Sequence, residues 1–63
     1  MTGPEFRARR VALGLSYRRA AAALGVSLST IYRWEAEQRR IPALAERALR
    51  DLAAERAHHD PAH

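Results

Sequence analysis

The large apolar residues of this 63-residue chain fall into four groups separated by glycine or proline. Phe6, Arg10 and Leu13 stand at i, i+4 and i+7, the spacing of one helix face, so an arginine occupies a position where a core residue is expected. Ala20, Ala21 and Leu24 form a second inward set, whose small alanines let another helix approach closely. In the third group Ile31, Trp34 and Glu35 share one side of a helix at about 100° per residue, leaving Ser29, Tyr32, Arg33 and Ala36 on the other. Leu44, Ala45, Ala48, Leu49 and Leu52 are the apolar positions of the fourth. The pattern predicts an all-α chain of four helices, with no strand and no internal repeat.

The residues between these groups supply start and stop signals. Thr2-Gly3-Pro4-Glu5 reads as a capping box with proline in the first turn, opening a helix that runs to about Leu13. Gly14 ends it, and Ser16 caps a second helix from Tyr17 to Leu24. Gly25 suits a left-handed terminator, Val26 a buried turn residue and Ser27 the next N-cap, so a third helix starts near Leu28. Pro42 closes that segment and admits a fourth helix over about Ala43 to Ala57, where Glu46 and Arg50 form an i, i+4 pair. Residues 1–57 are expected to be one domain and 58–63 a flexible polar tail.

Size and charge narrow the function. A chain of this length buries only about 60% of its unfolded surface, enough for one small core. Cysteine is absent, which excludes a disulfide scaffold or a thiolate metal site. With no apolar run long enough to span a bilayer and no signal peptide, a soluble cytoplasmic protein is expected. His58, His59 and His63 sit in the tail with no acid fixed beside them, so neither a metal nor a cofactor is implied. Every one of the 11 basic residues is arginine, and the net charge is +4. An Ala- and Arg-rich chain without lysine also fits a GC-rich genome, so placement carries the argument: Phe6 to Arg33 holds six arginines and no carboxylate. That portion attracts a polyanion, and arginine's fork grips phosphate or guanine bidentately.

A small-residue helix, a glycine turn and an anchored helix with polar outward residues make a helix-turn-helix, whose second helix enters the DNA major groove. The segments "RARRVALGLS", "AAALGVSLSTIYRWE" and "IP" resemble the Cro/C1-type, XRE-like family of helix-turn-helix domains across nearly the whole chain. The resemblance implies a compact, lambda-repressor-like four-helix domain that binds double-stranded DNA as a homodimer on an inverted-repeat operator and regulates transcription. It also implies base reading by residues near the start of helix three, here Ser27, Leu28, Ser29 and Arg33, with Tyr32 added. An arginine of helix one paired with a glutamate closing helix three matches Arg10 and Glu35. Tyr17 stands where the family usually has a phosphate-gripping glutamine, and "AEQ" stands where glycine usually follows Trp-Glu.

Roles follow from side-chain chemistry. Arg33 is expected to contact guanine bidentately, Ser29 to donate or accept, and Leu28 to touch a thymine methyl. Arg18, Arg19, Thr30, Arg39 and Arg40 are expected to meet phosphates, which position the domain without reading sequence, with entry into the minor groove as the alternative for Arg40; the resemblance implies a phosphate contact for Tyr17 as well. With no fifth helix in the pattern, a dimer is expected to use helix four, at Leu49, Leu52 and Arg56, or the tail. The expected function is repression of the chain's own operon, in a phage, plasmid or toxin–antitoxin setting. Two alternatives stand beside it. One is an antitoxin or adaptor whose helix four binds a partner protein; the other is the DNA-recognition piece of a recombinase or transposase, whose helix-turn-helix segments the central stretch also resembles. An enzyme is not expected, since there is no cysteine, no carboxylate cluster and no length for a pocket.

Overall fold

The structure, a computed structural model, describes residues 1–58. Four helices follow one another: α1 (Gly3–Ala12), α2 (Tyr17–Leu24), α3 (Leu28–Glu35) and α4 (Ala43–His58). Among the described residues there is no strand. The predicted boundaries hold to within a residue, because each helix begins at a residue whose side chain satisfies free N–H groups or at a proline. Thr2 Oγ1 accepts from Glu5 N at 3.2 Å while Thr2 N donates to Glu5 Oε1 at 3.0 Å, completing the capping box. Ser16 and Ser27 each accept the backbone N–H three residues on.

The core is built from all four helices: Phe6, Ala20, Ala21, Ile31, Trp34, Ala45 and Leu49, with Ile41 contributed by the connection before α4. Phe6 meets Trp34 edge-on, their ring centroids 5.5 Å apart, an arrangement favoured by the opposite charge of ring edge and face. Arg10 lies within this core, as its place on the apolar stripe implies, and is only 7% exposed.

Gly3 does more than open α1. It is buried, and a Cβ there would lie 2.5 Å from the Glu35 carbonyl oxygen and 2.8 Å from that of Trp34. The start of α1 therefore packs directly on the backbone that ends α3. Glu37 takes a left-handed backbone (φ 59°), and its Oε1 accepts from Gly3 N at 3.2 Å, giving the α3–α4 connection a carboxylate at the positive end of α1.

Helix four departs from expectation. Leu44, one of its apolar positions, is 78% exposed, while Ala45 and Leu49 turn into the core. Leu49, expected at a dimer interface, is 2% exposed and fills the chain's own interior, so it cannot serve a partner copy. Arg56, expected there too, is exposed and reaches the end of α1, where its Nη1 donates to the Ala12 carbonyl at 3.4 Å. Leu52 is half-buried. Of the expected polar tail, His58 ends α4, and residues 59–63 lie outside the described residues.

Candidate nucleic-acid interface

The α2–turn–α3 unit is shaped by small residues and two hydroxyl caps. Ala20 and Ala21 are buried where α3 crosses α2. Gly25 adopts φ 69°, ψ 32°, a conformation open to glycine without the steric cost other residues meet. The turn is closed by Val26 N donating to the Ala21 carbonyl at 3.0 Å, which satisfies a carbonyl the helix end would otherwise leave unpaired.

Ile31 and Trp34 bury the inner side of α3, leaving Ser29, Tyr32 and Arg33 exposed. Leu28 and Thr30 are half-buried at its start. The hydroxyls there are partly committed to one another. Ser27 Oγ lies 2.8 Å from Thr30 Oγ1 and 3.2 Å from Ser29 Oγ, besides capping Thr30 N. Ser27 and Thr30 thus shape the entry to α3, whereas Ser29 and Arg33 point their polar atoms away from the core side.

Arg18 and Arg19 are exposed on the first turn of α2, and Arg39 and Arg40 are exposed just after α3. The latter two are held close to it, since Gln38 N and Arg39 N both donate to the Arg33 carbonyl, at 2.9 and 3.3 Å. Among the described residues none of Arg18, Arg19, Arg33, Arg39 and Arg40 is paired with a carboxylate; the side-chain pairs are Arg10 with Glu35 and Arg50 with Glu46. Unpaired guanidinium groups keep their full donor set for an incoming polyanion.

Behind this surface lies a polar hub. Arg10 Nε donates to Glu35 Oε2 at 2.7 Å, and Arg10 Nη1 to the Leu15 carbonyl at 2.8 Å, with both side chains less than a tenth exposed. Tyr17 completes it. Its hydroxyl donates to Glu35 Oε1 at 3.3 Å, and the Arg10 guanidinium carbon sits 4.1 Å from its ring centroid. In the free protein the phenolic proton of Tyr17 is thus directed at Glu35, so a phosphate, which only accepts hydrogen bonds, would meet this hydroxyl only if it left that acceptor. The ring also packs against Tyr32, centroid to centroid 4.6 Å. Neither contact of Tyr17 follows from periodicity, because partners on separate helices leave no repeat in the sequence.

Comparison with known families decides the classification: a helix-turn-helix family model matches residues 6–46, from Phe6 on α1 through Glu46 on α4. The chain belongs to the Cro/C1-type helix-turn-helix family. No curated protein and no solved structure matches the chain. As a Cro/C1-type helix-turn-helix protein it is a DNA-binding transcription regulator, and its ligand is double-stranded DNA. The Arg10–Glu35 pair and the α2–turn–α3 unit both fall within the matched region. Among the described residues no helix is long and apolar enough to cross a membrane, and no group of three or more His, Cys, Asp or Glu side chains is gathered to hold a metal ion.

Proposed function

We propose that the chain is a sequence-specific repressor that acts as a homodimer on an inverted-repeat operator of its own operon, of the phage, plasmid or toxin–antitoxin kind, in the cytoplasm. It works by occupying DNA and catalyses no reaction. The observation that carries this reading is the exposed face of α3, with Ser29, Tyr32 and Arg33 outward, bordered by four arginines that no carboxylate among the described residues neutralises. In the proposed complex α3 lies in the major groove, Arg33 and Ser29 meet base edges, and Leu28 touches a thymine methyl. Arg18, Arg19, Arg39 and Arg40 grip phosphates on either side.

Association is proposed through α4 at Leu52, which borders an open cleft of about 320 Å³ with Leu13 and Leu15. Sedimentation at micromolar concentration should show a dimer that Leu52→Arg abolishes; an unchanged mass moves the contact elsewhere. A second reading, an adaptor or antitoxin with a protein partner, draws on a different observation. Exposed Leu44 stands at an open cleft of about 250 Å³ lined also by Leu24, Val26, Trp34 and Pro42.

The experiment is selection from a random-sequence duplex pool by the purified chain at two salt concentrations. Enrichment of an inverted repeat that survives the higher salt supports the dimeric repressor. Binding that disappears with salt and enriches nothing reduces the arginines to a general polyanion surface and puts the partner protein first.

A further inference from the structure

Tyr32 is the one base-facing candidate whose side chain rests on another aromatic ring. It lies on the outward face of α3, 48% exposed, with its ring centroid 4.6 Å from that of Tyr17 and the two planes tilted by 46°. Tyr17 is itself immobilised from two further directions. Its hydroxyl is held by Glu35 and its ring by the Arg10 guanidinium, which is fastened to Glu35 and to the Leu15 carbonyl. Tyr32 therefore packs on a surface fixed by the polar hub of the core.

An exposed tyrosine on a helix ordinarily samples more than one χ1 rotamer, and ordering it at an interface costs free energy. A ring packed against its side lowers that cost in advance. Packing also fixes where the phenol presents its edge and hydroxyl, groups suited to a thymine methyl or a base-edge acceptor.

We infer that Tyr17 is a positioning residue for DNA recognition: its ring holds Tyr32 in the orientation that meets the duplex, and so sets the sequence preference at the base pair Tyr32 faces without touching DNA. This rests on the proposal that α3 is the reading helix. The expected effect of losing the support is a fall on the order of three- to tenfold in discrimination at that base pair, the equivalent of one side chain left to be ordered on binding.

The test is duplex-pool selection with the wild-type chain, Tyr32→Ala, Tyr17→Leu, Tyr17→Phe and the Tyr17→Leu/Tyr32→Ala double variant, each first checked for helical circular dichroism. Leucine keeps apolar bulk but lacks the flat ring; phenylalanine keeps the ring and loses only the hydroxyl. Tyr17→Leu should lose preference at the same base pair as Tyr32→Ala, the double variant should lose no more, and Tyr17→Phe should restore it. In the free protein, three-bond couplings of Tyr32 should report one χ1 rotamer in the wild type and Tyr17→Phe, and averaging in Tyr17→Leu, a readout that needs no DNA. If the wild type enriches a site and Tyr17→Leu keeps the whole preference, or if Tyr32 couplings are averaged already in the wild type, the inference fails while the reading of α3 stands. If the wild type enriches nothing, that reading fails and the inference with it.

Discussion

Removing the Glu35 carboxylate should nearly unfold the protein. In Glu35→Ala the Arg10 guanidinium keeps the Leu15 carbonyl as partner but loses its counter-charge, and the Tyr17 hydroxyl loses its acceptor. Both members of the pair have side chains less than a tenth exposed, so water does not readily replace the carboxylate. Breaking a buried pair in this way costs about 3–5 kcal/mol. A domain of this size has a total stability of roughly 3–9 kcal/mol at the usual 0.05–0.15 kcal/mol per residue, so the loss is comparable with the whole. Urea unfolding followed by the fluorescence of Trp34, which is buried one residue away, measures it. With a slope of about 1 kcal/mol per molar, the midpoint should fall by about 3–5 M or vanish. The complementary variant carries Arg10→Met and Glu35→Leu together. It exchanges the pair for apolar side chains and should come within about 1 kcal/mol of wild type, since a buried pair contributes little beyond what apolar packing supplies. A Glu35→Ala midpoint within about 1 M of wild type would place the pair with solvent-screened surface pairs and refute the argument.

Further outcomes are expected of single substitutions. Gly3→Ala should lose about 1–3 kcal/mol by overpacking against the Glu35 and Trp34 carbonyls, although helix propensity alone favours alanine by up to ~1 kcal/mol; a stabilised variant in the same urea assay means α1 does not sit this close to α3. Thr2→Ala should cost about 1 kcal/mol through loss of the cap. Hydrogen bonds from the Thr2 backbone and hydroxyl hold the Glu5 carboxyl below its ordinary pKa; its contribution is therefore complete above the unfolded value and is lost as pH falls through the folded one, so Glu5→Gln should flatten the acid side of a stability–pH curve. For DNA, Arg33→Ala should cost about 1–3 kcal/mol on the selected site and much less on unrelated duplex, whereas Arg18→Ala should weaken both alike and lower the salt slope by about one; equal losses from Arg33→Ala on both duplexes remove it from base reading.

What the sequence made legible was whatever repeats or punctuates locally. The caps at Thr2, Ser16 and Ser27, the turn glycine Gly25 and the anchors Ile31 and Trp34 each act within a helical turn of their own position, so spacing alone locates them. Arg10 was legible for a different reason: a charge on an apolar stripe is anomalous, and Glu35 was the acid on the facing stripe. Contacts joining distant segments through backbone or ring faces left no such mark. Gly3 reads as a helix start whether or not it touches α3, and Tyr17 reads as an outward residue until its hydroxyl is found on Glu35. Helix four misled at Leu49, because Leu44, Ala45, Ala48, Leu49 and Leu52 spread over too wide an arc for spacing to say which face inward; Ala45 and Leu49 are the buried ones and Leu44 is exposed.

The polar hub links the stability of this small domain to the accuracy of its DNA surface. α3 buries Ile31 and Trp34, and with two buried side chains on one face it leaves part of the control of its rotation to other contacts. Glu35, at its end, accepts from Arg10 on α1 at 2.7 Å, and that short directional bond restricts rotation in addition to the apolar contacts. A rotation of α3 displaces Ser29, Tyr32 and Arg33 together relative to the arginines that grip the backbone. It follows that the apolar Arg10→Met/Glu35→Leu variant, though near wild type in stability, should discriminate less among DNA sequences than the wild type does. An unchanged preference in that variant would assign the pair to folding alone.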